Sequence, residues 1–183
     1  MDKLRVGVIG YGYWGPNLVR NFVEMPGAEM IAVSDLRIDR LAQAKSVYPS
    51  LQTTPNYFDL FEMDLDAVVV ATPPTTHHDI ARDCLDHGLN VLVEKPLTLT
   101  SDDALALCNR AKAGGLTLMV GHTFEYNAAV HALRKLMGDG DLGDVHYIDT
   151  ARLNLGLFQR GLNVLWDLAP HDLSIMQHLI KAK

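Results

Sequence analysis

Cysteine is scarce: among 183 residues only Cys84 and Cys108 occur, and neither stands in a CxxC pair or beside a histidine at metal-ligand spacing. A disulfide framework and a zinc cluster are therefore not expected; the two read as buried free thiols in a reducing compartment, with the cytoplasm as the default location. Long apolar runs are also missing. None approaches the roughly 20 residues needed to cross a bilayer, and the apolar start Val6-Gly7-Val8-Ile9 runs straight into glycines, as a strand does and a signal peptide does not. Positive charge is in deficit, with 16 Lys and Arg against 22 Asp and Glu, whereas nucleic-acid phosphates demand a basic face. Neither an internal repeat nor a low-complexity tract is present. What remains, at 48% hydrophobic and 21% charged, is the composition of a globular chain able to bury a core.

The first 120 residues alternate short β-branched runs with longer helical patterns, the signature of a parallel sheet covered by helices on both faces. Strands are expected at Leu4 to Ile9, Met30 to Ser34, Leu51 to Thr53, Ala67 to Ala71, Val91 to Val93 and Leu116 to Val120. Apart from the weaker Leu51 to Thr53, each is nearly all apolar, as strands buried on both faces must be. Helices are expected near Gly15 to Met25, Ile38 to Tyr48, Tyr57 to Met63, Thr76 to His87 and Asp102 to Ala113, with Ser101 and Asp102 as candidate caps. From His122 the pattern changes to a helix over Asn127 to Met137, a Gly/Asp loop, an alternating segment from Val145 to Leu155 that reads as an extended strand, and a helix from about Leu168. The expected division is 1-121 and 122-183. A lone strand cannot satisfy its own edges, so the second part reads as the start of a domain completed elsewhere.

Gly10-Tyr11-Gly12-Tyr13-Trp14-Gly15 follows the first strand and opens the first helix. Glycines there permit a tight turn and let the backbone approach a pyrophosphate, while the helix N-terminus presents N–H groups to it. Asp35 ends the second strand, 20 residues after Gly15, where a carboxylate would accept hydrogen bonds from ribose hydroxyls and repel a 2′-phosphate. NAD is therefore expected, and Arg37, a guanidinium two residues on, keeps NADP possible.

Three further segments stand out: Glu94-Lys95-Pro96 at the end of the fifth strand, Gly121-His122-Thr123-Phe124 after the sixth, and Asp167 four residues before His171 near the C-terminus. With Ala71-Thr72-Pro73-Pro74-Thr75-Thr76-His77 and the glycine run, they resemble the Gfo/Idh/MocA family of NAD(P)-dependent oxidoreductases across essentially the whole chain.

The resemblance implies an α/β fold, a doubly wound, mostly parallel Rossmann sheet followed by the opening of an α/β substrate domain. It also implies hydride transfer between NAD(P) and a hydroxyl or ketone of a sugar, cyclitol or nucleotide-sugar; the alternatives are a non-catalytic NAD(P)-binding sensor or regulatory module and an inactive truncated fragment of such an enzyme. Under it, His171 is the base, Lys95 stabilises alkoxide character and Asp167 orients His171 or binds a neighbouring hydroxyl. Gly10, Gly12, Tyr13, Trp14, Gly15, Asp35, Arg37, Thr72, Pro73, His77, Glu94 and Lys95 are the expected cofactor-binding residues. Arg152, Gln159, Arg160 and Asn163 are donors suited to a polyhydroxylated ligand. The expected partners are a sugar-like small molecule and, given a complete second domain, further copies of the chain; no metal is expected.

Overall fold

The structure is a computed structural model that describes residues 3–153 and 163–180. Its residues fall into two units, Met1–Gly121 and His122–Lys183.

The first unit is built on six strands: β1 (Leu4–Ile9), β2 (Ala28–Ser34), β3 (Gln52–Thr54), β4 (Ala67–Val70), β5 (Asn90–Val93) and β6 (Leu118–Val120). All pair in parallel, in the order β3-β2-β1-β4-β5-β6. The helices α1 (Gly15–Glu24), α2 (Ile38–Val47), α3 (His77–Asp86) and α4 (Ser101–Gly114) connect them, with short 3-10 turns at Tyr57–Glu62 and Pro74–Thr76. Side chains alternate along a strand, so a sheet covered on both faces needs apolar residues at consecutive positions. β4 shows this directly. Val69 joins Val6, Val8, Val19, Leu41 and Ala44 in one core, while Val68 and Val70 join Ile80, Cys84, Leu85, Leu107 and Ala111 in the other.

This strand order reverses direction at β1, whose neighbours are β2 and β4. Loops leaving the carboxyl ends of β1 and β4 diverge there and leave a crevice. Residues 10–15 and 71–76 are those loops.

Local ends differ in detail from the sequence reading. Thr100, not Ser101 or Asp102, caps α4, its side-chain oxygen accepting from the Asp103 amide at 3.2 Å. Cys84 is buried as expected, and burial pushes its thiol up to about 12. Cys108 is exposed, because α4 turns that position away from the sheet.

The second unit holds a 3-10 turn at Thr123–Tyr126, α5 (Ala128–Asp139) and α6 (Val164–Ile180). Asn127 caps α5 by accepting from the Ala129 and Val130 amides, and Gly140, at φ 82°, closes it in the left-handed conformation. The strand expected over Val145 to Leu155 does not form across 145–153, and 154–155 lie outside the described residues. Alternating side chains alone do not make a strand; a partner must take up the backbone groups, and none does among the described residues. α6 begins four residues before the expected Leu168. Asn163 starts it, accepting from the Trp166 amide through its side chain at 3.0 Å and from the Asp167 amide through its carbonyl at 3.1 Å. Pro170 consequently lies inside the helix and not in its first turn. Among the described residues no helix is long and apolar enough to cross a membrane.

Candidate functional site

The turn after β1 is shaped by what its glycines omit. Gly10 has φ 100°, and a Cβ there would stand 2.6 Å from the Ala71 carbonyl oxygen. A Cβ on Gly15 would stand 2.3 Å from the carbonyl oxygen of Gly10. These two positions require hydrogen as the side chain because backbone, which cannot swing aside, occupies the space. Gly12 differs. Among the described residues its Cβ would meet only Arg37 Nη2, at 3.7 Å, so the mouth of the turn is open to a ligand on that side. Among the described residues no side chain caps α1, whose N-terminus faces the same turn. A backbone cradle of this form fits a diphosphate, with N–H groups and the positive end of the helix dipole turned toward the charge.

Asp35 sits at the rim of that turn. Its Oδ2 accepts from the Tyr11 amide at 2.7 Å and its Oδ1 from the Arg37 amide at 2.9 Å. The Arg37 guanidinium adds Nε to Oδ1 at 3.1 Å and Nη2 to Oδ2 at 3.2 Å. Burial pushes the Asp35 carboxyl up, but the Arg37 side chain and the two amides outweigh it and hold the group below the usual carboxylate range. The acid stays ionised, oriented, and next to the cradle. Tyr13 and Trp14 stand outward from the turn, 69% and 47% exposed, with their rings edge-to-face at 5.3 Å.

On the other lip of the crevice, Thr72 and Pro73 follow β4. Thr76 Oγ1 donates to the Pro73 carbonyl and lies 2.8 Å from Thr72 Oγ1, which ties this loop to itself. His77, expected in the groove lining, is not there: its side chain is 0% exposed. Nδ1 lies 2.7 Å from the Pro96 carbonyl oxygen and Nε2 lies 2.8 Å from that of Thr72. A ring with no accessible surface touches no ligand; His77 stands behind the groove.

Glu94 and Lys95 follow β5, both half-buried, and the Lys95–Pro96 bond is cis. Glu94 accepts the Lys95 amide at 3.3 Å. Its carboxylate lies against Gly121, where a Cβ would approach Oε2 to 3.2 Å. Burial raises the Glu94 carboxyl above the usual range, only partly offset by the amide and charge of Lys95.

In the second unit Asp167 and His171 occupy successive turns of α6, both half-buried, and a spacing of four puts them on one face. Sequence reasoning missed what surrounds them. The His171 ring meets Phe124 edge-on at 5.0 Å, and the Arg152 guanidinium lies 4.9 Å from the centre of the same Phe124 ring. Arg152 Nε in turn donates to both carboxylate oxygens of Asp172 at 3.0 Å. Arg152, expected as a donor to a ligand, is thus committed to Asp172 and Phe124, and Asn163 is committed to capping α6. Gln159 and Arg160 lie outside the described residues. Among the described residues no cluster of His, Cys, Asp or Glu could hold a metal ion.

Comparison with known proteins agrees with this geometry. The family model described as "Oxidoreductase family, NAD-binding Rossmann fold", GFO_IDH_MocA, matches residues 4–122. The inositol 2-dehydrogenase of Rhodococcus jostii strain RHA1 is 33% identical over 147 residues, covering 79% of this chain and 40% of that protein. Among solved structures, an oxidoreductase from Magnetospirillum magnetotacticum MS-1 superposes with a TM-score of 0.83 at 32% identity, over 98% of this chain and 58% of that one. GenD2 from gentamicin A biosynthesis, solved in complex with NAD, superposes with a TM-score of 0.86 at 26% identity, over 98% of this chain and 54% of that one. The chain thus spans about half the length, or less, of the relatives it matches. With cradle, acidic rim and strand order in agreement with these matches, the chain belongs to the Gfo/Idh/MocA oxidoreductase family, and its first unit is that family's NAD-binding Rossmann fold.

Proposed function

We propose that this protein transfers hydride between NAD and a hydroxyl-bearing carbon of a sugar, cyclitol or nucleotide-linked sugar. The observation that carries the reading is the open glycine cradle at the reversal of strand order, with an ionised Asp35 on its rim. Gly10, Gly12 and Gly15 would hold the diphosphate and Asp35 the adenosine ribose. When bound, NAD supplies the hydride acceptor. The chain's own side chains supply proton handling. His171 takes the hydroxyl proton at a ring nitrogen, Asp167 on the same helix face orients it, and Lys95 places a cation beside the substrate oxygen as negative charge develops. Glu94, Thr72 and Pro73 line the nicotinamide side of the groove. A relative named as an inositol 2-dehydrogenase supports a polyhydroxylated substrate.

The Asp35 carboxylate, already ionised, disfavours a 2′-phosphate, and NAD binds at least about tenfold more tightly than NADP, a difference of about 1.4 kcal/mol. Calorimetric titration with both dinucleotides measures this; equal affinities would remove Asp35 from its proposed role. Turnover is read at the reduced-nicotinamide absorbance band against inositols, hexoses and a nucleotide-sugar. Lys95→Ala lowers kcat by about a hundredfold or more while leaving NAD affinity within about twofold. Equal loss of both would assign Lys95 a structural duty. NAD binding without turnover of any polyol would instead support a sensor.

A further inference from the structure

His77 is the one fully buried ionisable side chain among the described candidate site residues, and it stands where the loops after β4 and β5 meet. One ring nitrogen faces the carbonyl of Thr72, on the loop after β4; the other faces that of Pro96, next to Lys95 on the loop after β5. A carbonyl oxygen only accepts, and a neutral imidazole has a single N–H, so the ring can donate to one of the two. The Pro96 contact is buried, whereas the Thr72 contact is partly open to solvent. Water can serve the outer carbonyl. It cannot serve the inner one, and a buried acceptor without a donor is the costlier outcome.

We propose that His77 is a positioning residue for Lys95: its Nδ1–H, donated to the buried Pro96 carbonyl oxygen, fixes the main chain beside Lys95 and so the reach of its ammonium group. The ring is a strut between β4 and β5 and not a ligand contact. This rests on the reading of Lys95 given under Proposed function, and it extends the catalytic apparatus to a side chain that substrate and cofactor never touch.

Two amides separate the duties of the ring. In His77→Asn the amide nitrogen falls near the place of Nδ1, and in His77→Gln near that of Nε2. His77→Asn is expected to keep Lys95-dependent turnover within about threefold of wild type, while His77→Gln loses about a hundredfold in kcat with little change in NAD affinity, as a displaced catalytic group does. Glutamine matching or exceeding asparagine would overturn the proposal. Two readouts are independent of turnover. Long-range proton–nitrogen correlation spectra of the wild-type ring near neutral pH should show hydrogen on Nδ1; hydrogen on Nε2 would refute the strut even if both variants failed to fold. Backbone amide resonances of Lys95 and Leu97 should shift in His77→Gln and hold in His77→Asn. If those shifts appear while Lys95→Ala leaves turnover intact, the strut stands and the role of Lys95 is what has failed.

Discussion

At the level of single residues the three glycines of the cradle are not equivalent, and their substitutions should separate folding from binding. Gly15→Ala drives a methyl group into the Gly10 carbonyl, a backbone clash of the overpacking kind, and is expected to cost about 1–3 kcal/mol or more of stability. Gly12→Ala meets nothing closer than 3.7 Å, so denaturant unfolding should register less than about 0.5 kcal/mol. The Gly12 methyl would instead stand in the open mouth, and NAD affinity should fall about tenfold or more. A Gly12→Ala protein that binds NAD as wild type does would refute the cradle as the diphosphate site.

His77 carries a second consequence at this scale. Burial lowers its affinity for a proton, while the hydrogen bonds to Pro96 and Thr72 raise it by less, so the native ring stays neutral to lower pH than the unfolded ring. Its contribution to stability is complete above the ordinary histidine value of about 6.5 and is lost as pH falls toward the native value, with a slope of up to about 1.4 kcal/mol per pH unit. Urea unfolding on either side of that window should show a steeper acid loss for wild type than for His77→Asn. Parallel curves would mean that the native and unfolded rings take up protons alike.

Helix α6 shows how an element is held when its own chemistry is against it. Pro170 removes one backbone donor inside the helix and crowds the carbonyl four residues earlier, a defect worth about 3 kcal/mol in an ordinary helix. The Asn163 cap and the Arg152–Asp172 ion pair work against that defect, the pair tying α6 to the segment before it with side chains only 25% and 19% exposed. Arg152→Met should leave a half-buried carboxylate without its guanidinium. The expected result is about 1–3 kcal/mol lost locally, seen as faster amide hydrogen exchange throughout α6. Unchanged exchange would show the pair to be worth no more than a surface contact.

The same helix marks where sequence reading stops. The glycine turn, Asp35 and the strand–helix alternation were legible because each is specified by residues close together in the chain. Asp167 and His171 were legible as an i, i+4 pair, but the start of α6 was not, since Pro170 read as a first-turn residue and Asn163 as a ligand donor. His77 was misplaced for another reason. Nothing within five residues says that its ring is sealed between two loops that meet only after β4 and β5 pair. The Phe124, Arg152 and Asp172 grouping is equally invisible from sequence, being joined across 48 positions. The segment from Val145 had the pattern of a strand, but among the described residues no neighbour makes it one.

For the molecule as a whole, every residue proposed to hold the dinucleotide belongs to Met1–Gly121. Residues 1–121 produced alone should therefore bind NAD within about threefold of the full chain, a difference under about 1 kcal/mol. A folded 1–121 segment without affinity would place essential contacts in the second unit. Turnover should not survive this deletion, since Asp167 and His171 leave with it.

The sheet's strand order also limits its width. Both marginal strands, β3 and β6, are only three residues long, so each outer flank offers a very short row of backbone groups to any passing extended chain. So brief a ladder is a poor template for a seventh strand. Growth by sideways accretion, the usual hazard of an open sheet, is thereby discouraged at both borders without a single charged guard residue being needed.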